Sequence, residues 1–209
     1  MSLYYFRETQ DDGYISVYNI NTKFNYNSIL QDVSPYLYNC DGYTKNKRES
    51  AVFTSDVNKI SQPLSNDWLL VPPRYKYQKF IPIIYQLKKE LKDLNLIENF
   101  DSLTDCFINL YNDGDFIAFH RDHHDDDNHF PIACILSFEK FENENHILSF
   151  YRTVGDVNAP TKKERGINKE EFDIKLNNNS LVVMHGMQKK YVHSIKPGKP
   201  RISVVFTFR

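Results

Sequence analysis

The chain has 209 residues, enough for one domain of ordinary size, and 41% of them are apolar, with 15 Phe and 14 Tyr, so wholesale disorder is excluded. Lys and Arg total 26 against 27 Asp and Glu, a formal net charge of -1, which excludes a strongly basic nucleic-acid binder by total charge and leaves room only for local patches. The three cysteines, Cys40, Cys106 and Cys134, lie far apart with no CxxC pair, which excludes a disulfide framework and a thiolate zinc site.

No apolar run is long enough to cross a membrane, and the first residues carry no signal-peptide pattern. The expectation is a monomeric, soluble cytoplasmic or nuclear protein that is neither secreted nor membrane-bound. The first 75 residues read as an irregular, Tyr- and Asn-rich lobe punctuated by Asp11-Asp12-Gly13, Asp41-Gly42 and Pro72-Pro73, with short β-type runs at Ile15–Tyr18 and Ala51–Thr54. Next, Phe80, Ile83, Ile84, Leu87, Leu91 and Leu94 recur at three- and four-residue steps, which predicts an amphipathic helix. Pro82 suits its first turn, and Lys88, Lys89 and Lys92 suit its C-terminal end.

From residue 105 the period becomes that of strands. The runs are Cys106–Tyr111, Phe116–His120, Phe130–Phe138, His146–Arg152, Phe172–Leu176, Ser180–His185, Lys190–Ile195 and Arg201–Arg209. Turn chemistry separates them, as at Asn112-Asp113-Gly114, Asn177-Asn178-Asn179 and Lys196-Pro197-Gly198. The polar stretch from Thr153 to Glu171 reads as a long surface loop. The predicted fold class is α+β, mainly β: a double-stranded β-helix (jelly roll) with a supporting N-terminal helix and an N-terminal lid-like lobe. The lobe at 1–75 and the helix plus catalytic core at 76–209 form one structural domain overall.

Two segments carry chemistry. In His120-Arg121-Asp122, residues two apart on an extended chain share a face, so His120 and Asp122 can reach one metal ion. A third ligand must come from a later strand, and His193 in Tyr191-Val192-His193 is well placed; His185 is a rival. Two His and one carboxylate leave three coordination positions open, the arrangement of non-haem Fe(II) oxygenases. The last strand alternates Arg201, Ser203, Val205, Thr207 and Arg209 on one face with Ile202, Val204, Phe206 and Phe208 on the other. Inside a barrel its arginine face would line the lumen, where a guanidinium fork suits a dicarboxylate co-substrate.

The run from Asn109 through Tyr111 and Gly114 to His120 and Asp122 resembles the AlkB family of Fe(II)- and 2-oxoglutarate-dependent dioxygenases. So do Pro131 to Phe138, Ser180 to Gly186, Tyr191 to His193 and Arg201 to Arg209, all in the family's order across residues 105–209. The resemblance implies that His120, Asp122 and His193 bind Fe(II). It implies further that Asn109 and Tyr111 hydrogen-bond the 2-oxoglutarate carboxylates, and that Arg201, with Ser203 nearby, takes the distal one. Arg209 would then serve the metal-side carboxylate or Asp122. The two arginines stand eight apart where the family's usually stand six, and Ser203 stands where several members carry Asn.

The implied activity is oxidative dealkylation of an N-alkylated nucleobase in DNA or RNA, consuming O2 and 2-oxoglutarate and releasing formaldehyde and succinate. Same-class oxidation of a protein or small molecule, a non-catalytic jelly-roll binding module and a metal-dependent cupin are the alternatives weighed against it. The loop His123-His124-Asp125-Asp126-Asp127 offers His124 or Asp125 as substrate contacts, although a polar strand connection is the commoner reading. Trp68, Tyr43 and Phe53 are candidates to stack on a flipped base. The basic cluster Lys45, Lys47 and Arg48 is a candidate for phosphate contact.

Overall fold

A computed structural model describes residues 1–9, 13–39, 46–54, 74–76, 82–93, 103–120, 132–142, 144, 146–155 and 163–208. In chain order the elements are β1 (Ser2–Glu8), β2 (Tyr14–Asn19), α1 (Tyr26–Val33), β3 (Tyr38–Asn39), β4 (Asn46–Lys47), β5 (Glu49–Thr54) and β6 (Arg74–Lys76). There follow α2 (Pro82–Asp93), β7 (Leu103–Tyr111), β8 (Phe116–His120), β9 (Ile132–Glu139) and β10 (His146–Thr153). The chain closes with β11 (Ile167–Leu176), β12 (Ser180–His185), β13 (Tyr191–Ile195) and β14 (Arg201–Phe208).

Among the described residues the strands form two sheets. The larger runs β1-β2-β12-β9-β14-β7-β5-β3, with β6 also pairing β5, and the smaller runs β11-β10-β13-β8-β4. Apart from the parallel β5–β6 pair, every ladder is antiparallel. This is the double-sheet arrangement of a jelly roll.

Alternation along β14 decides which side chains enter the molecule. Ile202, Val204 and Phe206 join Ile108, Leu110, Leu136, Phe138, Leu181 and Val183 in a core on the outer face of the larger sheet. Ile29 and Val33 of α1 and Ile84 and Leu87 of α2 pack into this same cluster, so the helices cover that face. Val205 instead joins Ile135, Val182, Leu148, Phe150, Tyr191 and Ile195 in a second core between the sheets. Arg201 and Ser203 share the parity of Val205 and therefore project between the sheets. The sequence predicted this alternation, and the structure assigns the arginine face to the interior.

The predicted helix is α2. Helix α1 was not anticipated from the sequence, although its signals are ordinary. Asn25 caps it by accepting from the Ser28 backbone N–H, the Ser28 hydroxyl answers at the Asn25 backbone N–H, and Tyr26, Ile29 and Val33 supply a buried stripe. The N-terminal segment also contributes more regular strand than its composition suggests, since β2 pairs β12 along its whole length and β5 pairs β7. The loop predicted to run to Glu171 is shorter, because β11 begins at Ile167 and Glu171 pairs with Tyr151. Its neck is closed where Gly155 meets Glu164 and Arg165, whose backbone atoms leave no room for a Cβ on Gly155.

The predicted turns between the later strands are present, that at Asn177 closed by a Ser180 N–H to Asn177 carbonyl bond of 3.2 Å. Asn112 to Asp115 closes with an Asp115 N–H to Asn112 carbonyl bond of 3.1 Å, and Gly114 there has φ +79°, which glycine adopts without strain. The Gly114 N–H also donates to the Gly198 carbonyl, tying this turn to the one before β14.

Candidate active site

The two histidines come from adjacent strands of the smaller sheet. His120 on β8 and His193 on β13 are register partners, and their ring centroids lie 4.3 Å apart. The ladder shifts by one residue here, since Ile195 pairs with Ile117 while His193 pairs with His120. Ile117 belongs to the inner core, so a regular strand would turn residue 120, three positions on, to the opposite face. The bulge restores His120 to the side of His193, a re-aiming typical of strands beside functional sites.

The chemistry of both rings suits metal ligation. The Nδ1 of His120 lies 2.9 Å from the Ala118 carbonyl, which can only accept, so that nitrogen carries the proton and Nε2 carries the lone pair. His193 is buried, and loss of hydration lowers its pKa to about 4, so its ring is neutral at physiological pH. Asp122, the expected third ligand, lies outside the described residues. Among the described residues no three His, Cys, Asp or Glu side chains converge, so the described part of the centre is this histidine pair. His185, the rival ligand, has the parity of Leu181 and Val183, which pack on the outer face, and its ring stacks on Tyr14 at 4.9 Å.

The larger sheet presents two polar rows on its inner face. In the first, Tyr111, Arg201 and Glu139 are register partners across β7, β14 and β9. In the second, Ser50, Asn109, Ser203, Ser137 and Ser180 are partners across β5, β7, β14, β9 and β12. Beyond them comes an apolar row, Val52, Phe107, Val205, Ile135 and Val182. The polar end of the sheet is therefore narrow and sharply bounded.

Arg201 is 1% exposed, the largest fully buried side chain among the described residues. Its guanidinium carbon sits 4.4 Å from the centroid of the Tyr111 ring, and Nη1 donates to the Ser137 hydroxyl at 3.2 Å. Its Nε is buried and has no hydrogen-bond partner among the described residues. A buried guanidinium with a donor unspent and no ion pair among the described residues is costly, and a carboxylate bound beside it would satisfy it.

Asn109 is held from three sides. Its Oδ1 accepts from Arg48 Nε at 3.0 Å and from the Ser50 hydroxyl at 2.7 Å, and its Nδ2 donates to the Ser203 hydroxyl at 3.3 Å. The arginine can only donate, so the amide orientation follows from its partners. Arg48 is thus partly buried beside Asn109, whereas its neighbour Lys47 is exposed and pairs with Asp115 at 3.4 Å. The two do not form one solvated basic cluster.

Two residues here, Ser137 and Glu139, were not assigned a role from sequence. Ser137 relays between Arg201 and Glu139, donating to Glu139 Oε1 at 3.1 Å. Glu139 Oε2 lies 2.7 Å from His146 Nδ1, and His146 Nε2 lies 2.6 Å from the Lys199 carbonyl, with both side chains almost fully buried. Both ring nitrogens thus lie beside oxygen atoms, one of the Glu139 carboxylate and one of the Lys199 carbonyl. The available sequence signal was parity, because Glu139 falls two residues after Ser137 on an inward-facing strand. Of the other predicted residues, Asp122, His124, Asp125, Trp68 and Arg209 lie outside the described residues, as do Tyr43 and Lys45. Phe53 is buried in the outer core, edge-on to Tyr36, and cannot stack on a base from there.

The family model of the 2OG-Fe(II) oxygenase superfamily matches residues 26–206. The chain belongs to this superfamily. It is accordingly an oxidoreductase of the dioxygenase type, and its family uses Fe(II), 2-oxoglutarate and O2. No curated protein matches the chain. Among solved structures it is similar to a Pseudomonas putida prolyl-4-hydroxylase, 18% identical, with 88% of this chain and 82% of that one covered at a TM-score of 0.51. It is also similar to a Trichoplax adhaerens prolyl hydroxylase in complex with a hypoxia inducible factor oxygen degradation domain peptide fragment, 12% identical, covering 93% and 82% at a TM-score of 0.52. OsALKBH1 is 12% identical, with 86% and 90% covered at a TM-score of 0.49. The prolyl hydroxylase likenesses establish the shared oxygenase fold.

The residues described fit the family's cofactors. Two imidazoles side by side, that of His193 held neutral by burial, provide nitrogen ligands for a ferrous ion, and the unspent donor of Arg201 provides for a carboxylate. Among the described residues no helix is long and apolar enough to cross a membrane.

Proposed function

We propose that this oxygenase removes alkyl groups oxidatively from N-alkylated nucleobases in DNA or RNA, releasing formaldehyde and succinate. In this reading His120, Asp122 and His193 hold the iron. Arg201 and Ser203 take the distal carboxylate of 2-oxoglutarate, Asn109 and Tyr111 complete its hydrogen bonds, and Arg209 serves the metal-side carboxylate. The observation that carries the site assignment is the pairing of His120 with His193 on the smaller sheet, together with a buried, inward-facing Arg201 on the larger sheet whose Nε has no hydrogen-bond partner among the described residues. The choice of nucleobase rests on the ordered resemblance to AlkB-type motifs between Asn109 and Arg209.

Iron bound with 2-oxoglutarate and dioxygen supplies the oxidising power, with decarboxylation to succinate. The protein's part is binding, orientation and exclusion of water. The Ala118 carbonyl sets the tautomer of His120, burial keeps His193 uncharged, and the Tyr111 ring and Ser137 hold the Arg201 fork in one plane. Hydroxylation of an N-methyl carbon yields a carbinolamine that collapses to formaldehyde. His124, Asp125 and Trp68 would serve as base contacts.

A second reading has the same chemistry acting on a protein side chain. Prolyl hydroxylases are among its fold relatives, and its formal net charge of -1 offers no overall attraction for a polyanion. The test is reconstitution with Fe(II) and 2-oxoglutarate, followed by a formaldehyde screen over methylated oligonucleotides beside a succinate screen over peptides. Formaldehyde release from an oligonucleotide supports the first reading. Succinate formation stimulated by peptides alone replaces it with the second.

A further inference from the structure

Arg48 occupies a corner. The chain leaves β4, which pairs β8 of the smaller sheet, and enters β5, which pairs β7 of the larger one, and Arg48 is the single residue between them. It therefore stands where the sheet that carries His120 meets the sheet that carries Arg201. Extending the β5–β7 register by one residue from Glu49↔Leu110 sets Arg48 opposite Tyr111, whose other cross-strand neighbour is Arg201. The two arginines flank one tyrosine.

The Arg48 side chain is directed into the site. Its Nε bonds Ser50 Oγ and Asn109 Oδ1, both at 3.0 Å, which ties it to the inward polar row, and its Nη1 is buried without a hydrogen-bond partner among the described residues. Neither Arg48 nor Arg201 makes an ion pair with any described residue, and each has a buried donor unspent. Glu139 shares the row with Arg201, but it is occupied by His146 and Ser137. Two guanidinium groups flanking Tyr111 at the polar end of the larger sheet, with no ion pair to a described carboxylate, repel each other in a medium of low dielectric. A single anion bound by both relieves that repulsion and fills both vacant donors.

We propose that Arg48 is the second guanidinium of the co-substrate site, sharing the distal carboxylate of 2-oxoglutarate with Arg201 while its Nε holds the Asn109 amide in orientation. The proposal rests on the assignment of that carboxylate to Arg201. It makes co-substrate binding the event that pins the β4–β5 corner to the core, because Arg48 is reached only through that corner.

The test is calorimetric titration of the full-length protein, loaded with redox-silent Mn(II), using 2-oxoglutarate and, separately, 2-oxopentanoate, which lacks the distal carboxylate. Arg48→Gln is expected to weaken 2-oxoglutarate about tenfold or more and to leave 2-oxopentanoate within about twofold of the wild type. If Arg48→Gln does not fold, Arg48→Lys replaces it, with a selective loss of about threefold expected because an ammonium cannot serve as a fork. Equal losses for both ligands, or unchanged 2-oxoglutarate affinity, overturn the proposal and leave the Arg201 assignment standing. A wild type that binds the two ligands equally well, or binds neither, overturns the Arg201 assignment and the proposal together.

Discussion

Arg201 and Glu139 are direct register partners on β14 and β9, carry opposite charges and are both buried, yet they make no ion pair. Ser137 bridges them, accepting from the arginine and donating to the glutamate, while Glu139 spends its other oxygen on His146. The result is an arginine steadied at one nitrogen and kept available at another. A direct bidentate pair with Glu139 would have consumed the fork and closed the site to any other carboxylate.

Removing one partner of the Glu139–His146 pair leaves a buried charge uncompensated, which commonly costs about 3–5 kcal/mol. His146→Ala is therefore expected to lower the free energy of unfolding in urea by about that amount. Gly198→Ala acts on the same pair, because a Cβ there would meet the His146 ring at 2.8 Å, and about 1–3 kcal/mol is expected. A loss under about 1 kcal/mol in both variants would show that the pair is not a structural strut.

Arg201→Lys keeps the charge but loses the planar fork that both stacks on Tyr111 and reaches Ser137. The expected outcome is a KM for 2-oxoglutarate raised about tenfold or more, with a smaller change in kcat. Steady-state succinate formation checks this. An unchanged KM would move the carboxylate clamp to another residue.

Burial lowers the pKa of His193 from its ordinary value of 6.5 to about 4, which fixes the sign of a pH effect on the metal-free protein. Above the unfolded value neither state takes the proton. As pH falls from 6.5 to about 4, the unfolded chain takes up a proton that the folded chain refuses, so stability declines with acid by roughly 3 kcal/mol in all. Below about 4 this contribution flattens. Urea midpoints of the metal-free wild type between pH 7 and pH 4.5 should fall more steeply than those of His193→Gln. Parallel curves would contradict the burial of a neutral ring.

Much of this was legible in the residues. The period-two pattern of Arg201 to Phe208 predicted two faces with opposite chemistry, and the two cores either side of the larger sheet show those faces. The turn at Asn112 to Asp115 followed from its Asn, Asp and Gly, and α2 from its stripe. Other features depend on partners far along the chain. Nothing local to Phe116–His120 announces a bulge, because the extra residue is defined only against β13. Arg48 read as one of three basic residues on a loop, since its burial is created by β5 docking on β7, about sixty positions away in the chain. The Glu139–His146 pair joins two different sheets, and local periodicity carries no information about such a contact.

The central claim is that His120 and His193 hold a ferrous ion. Anaerobic calorimetry of Fe(II) binding to the wild type, His120→Ala and His193→Ala tests it most directly, with circular dichroism to verify the fold of each. The account predicts one Fe(II) per wild-type chain and loss of that binding in both folded variants. Wild-type affinity retained in either folded variant would contradict it.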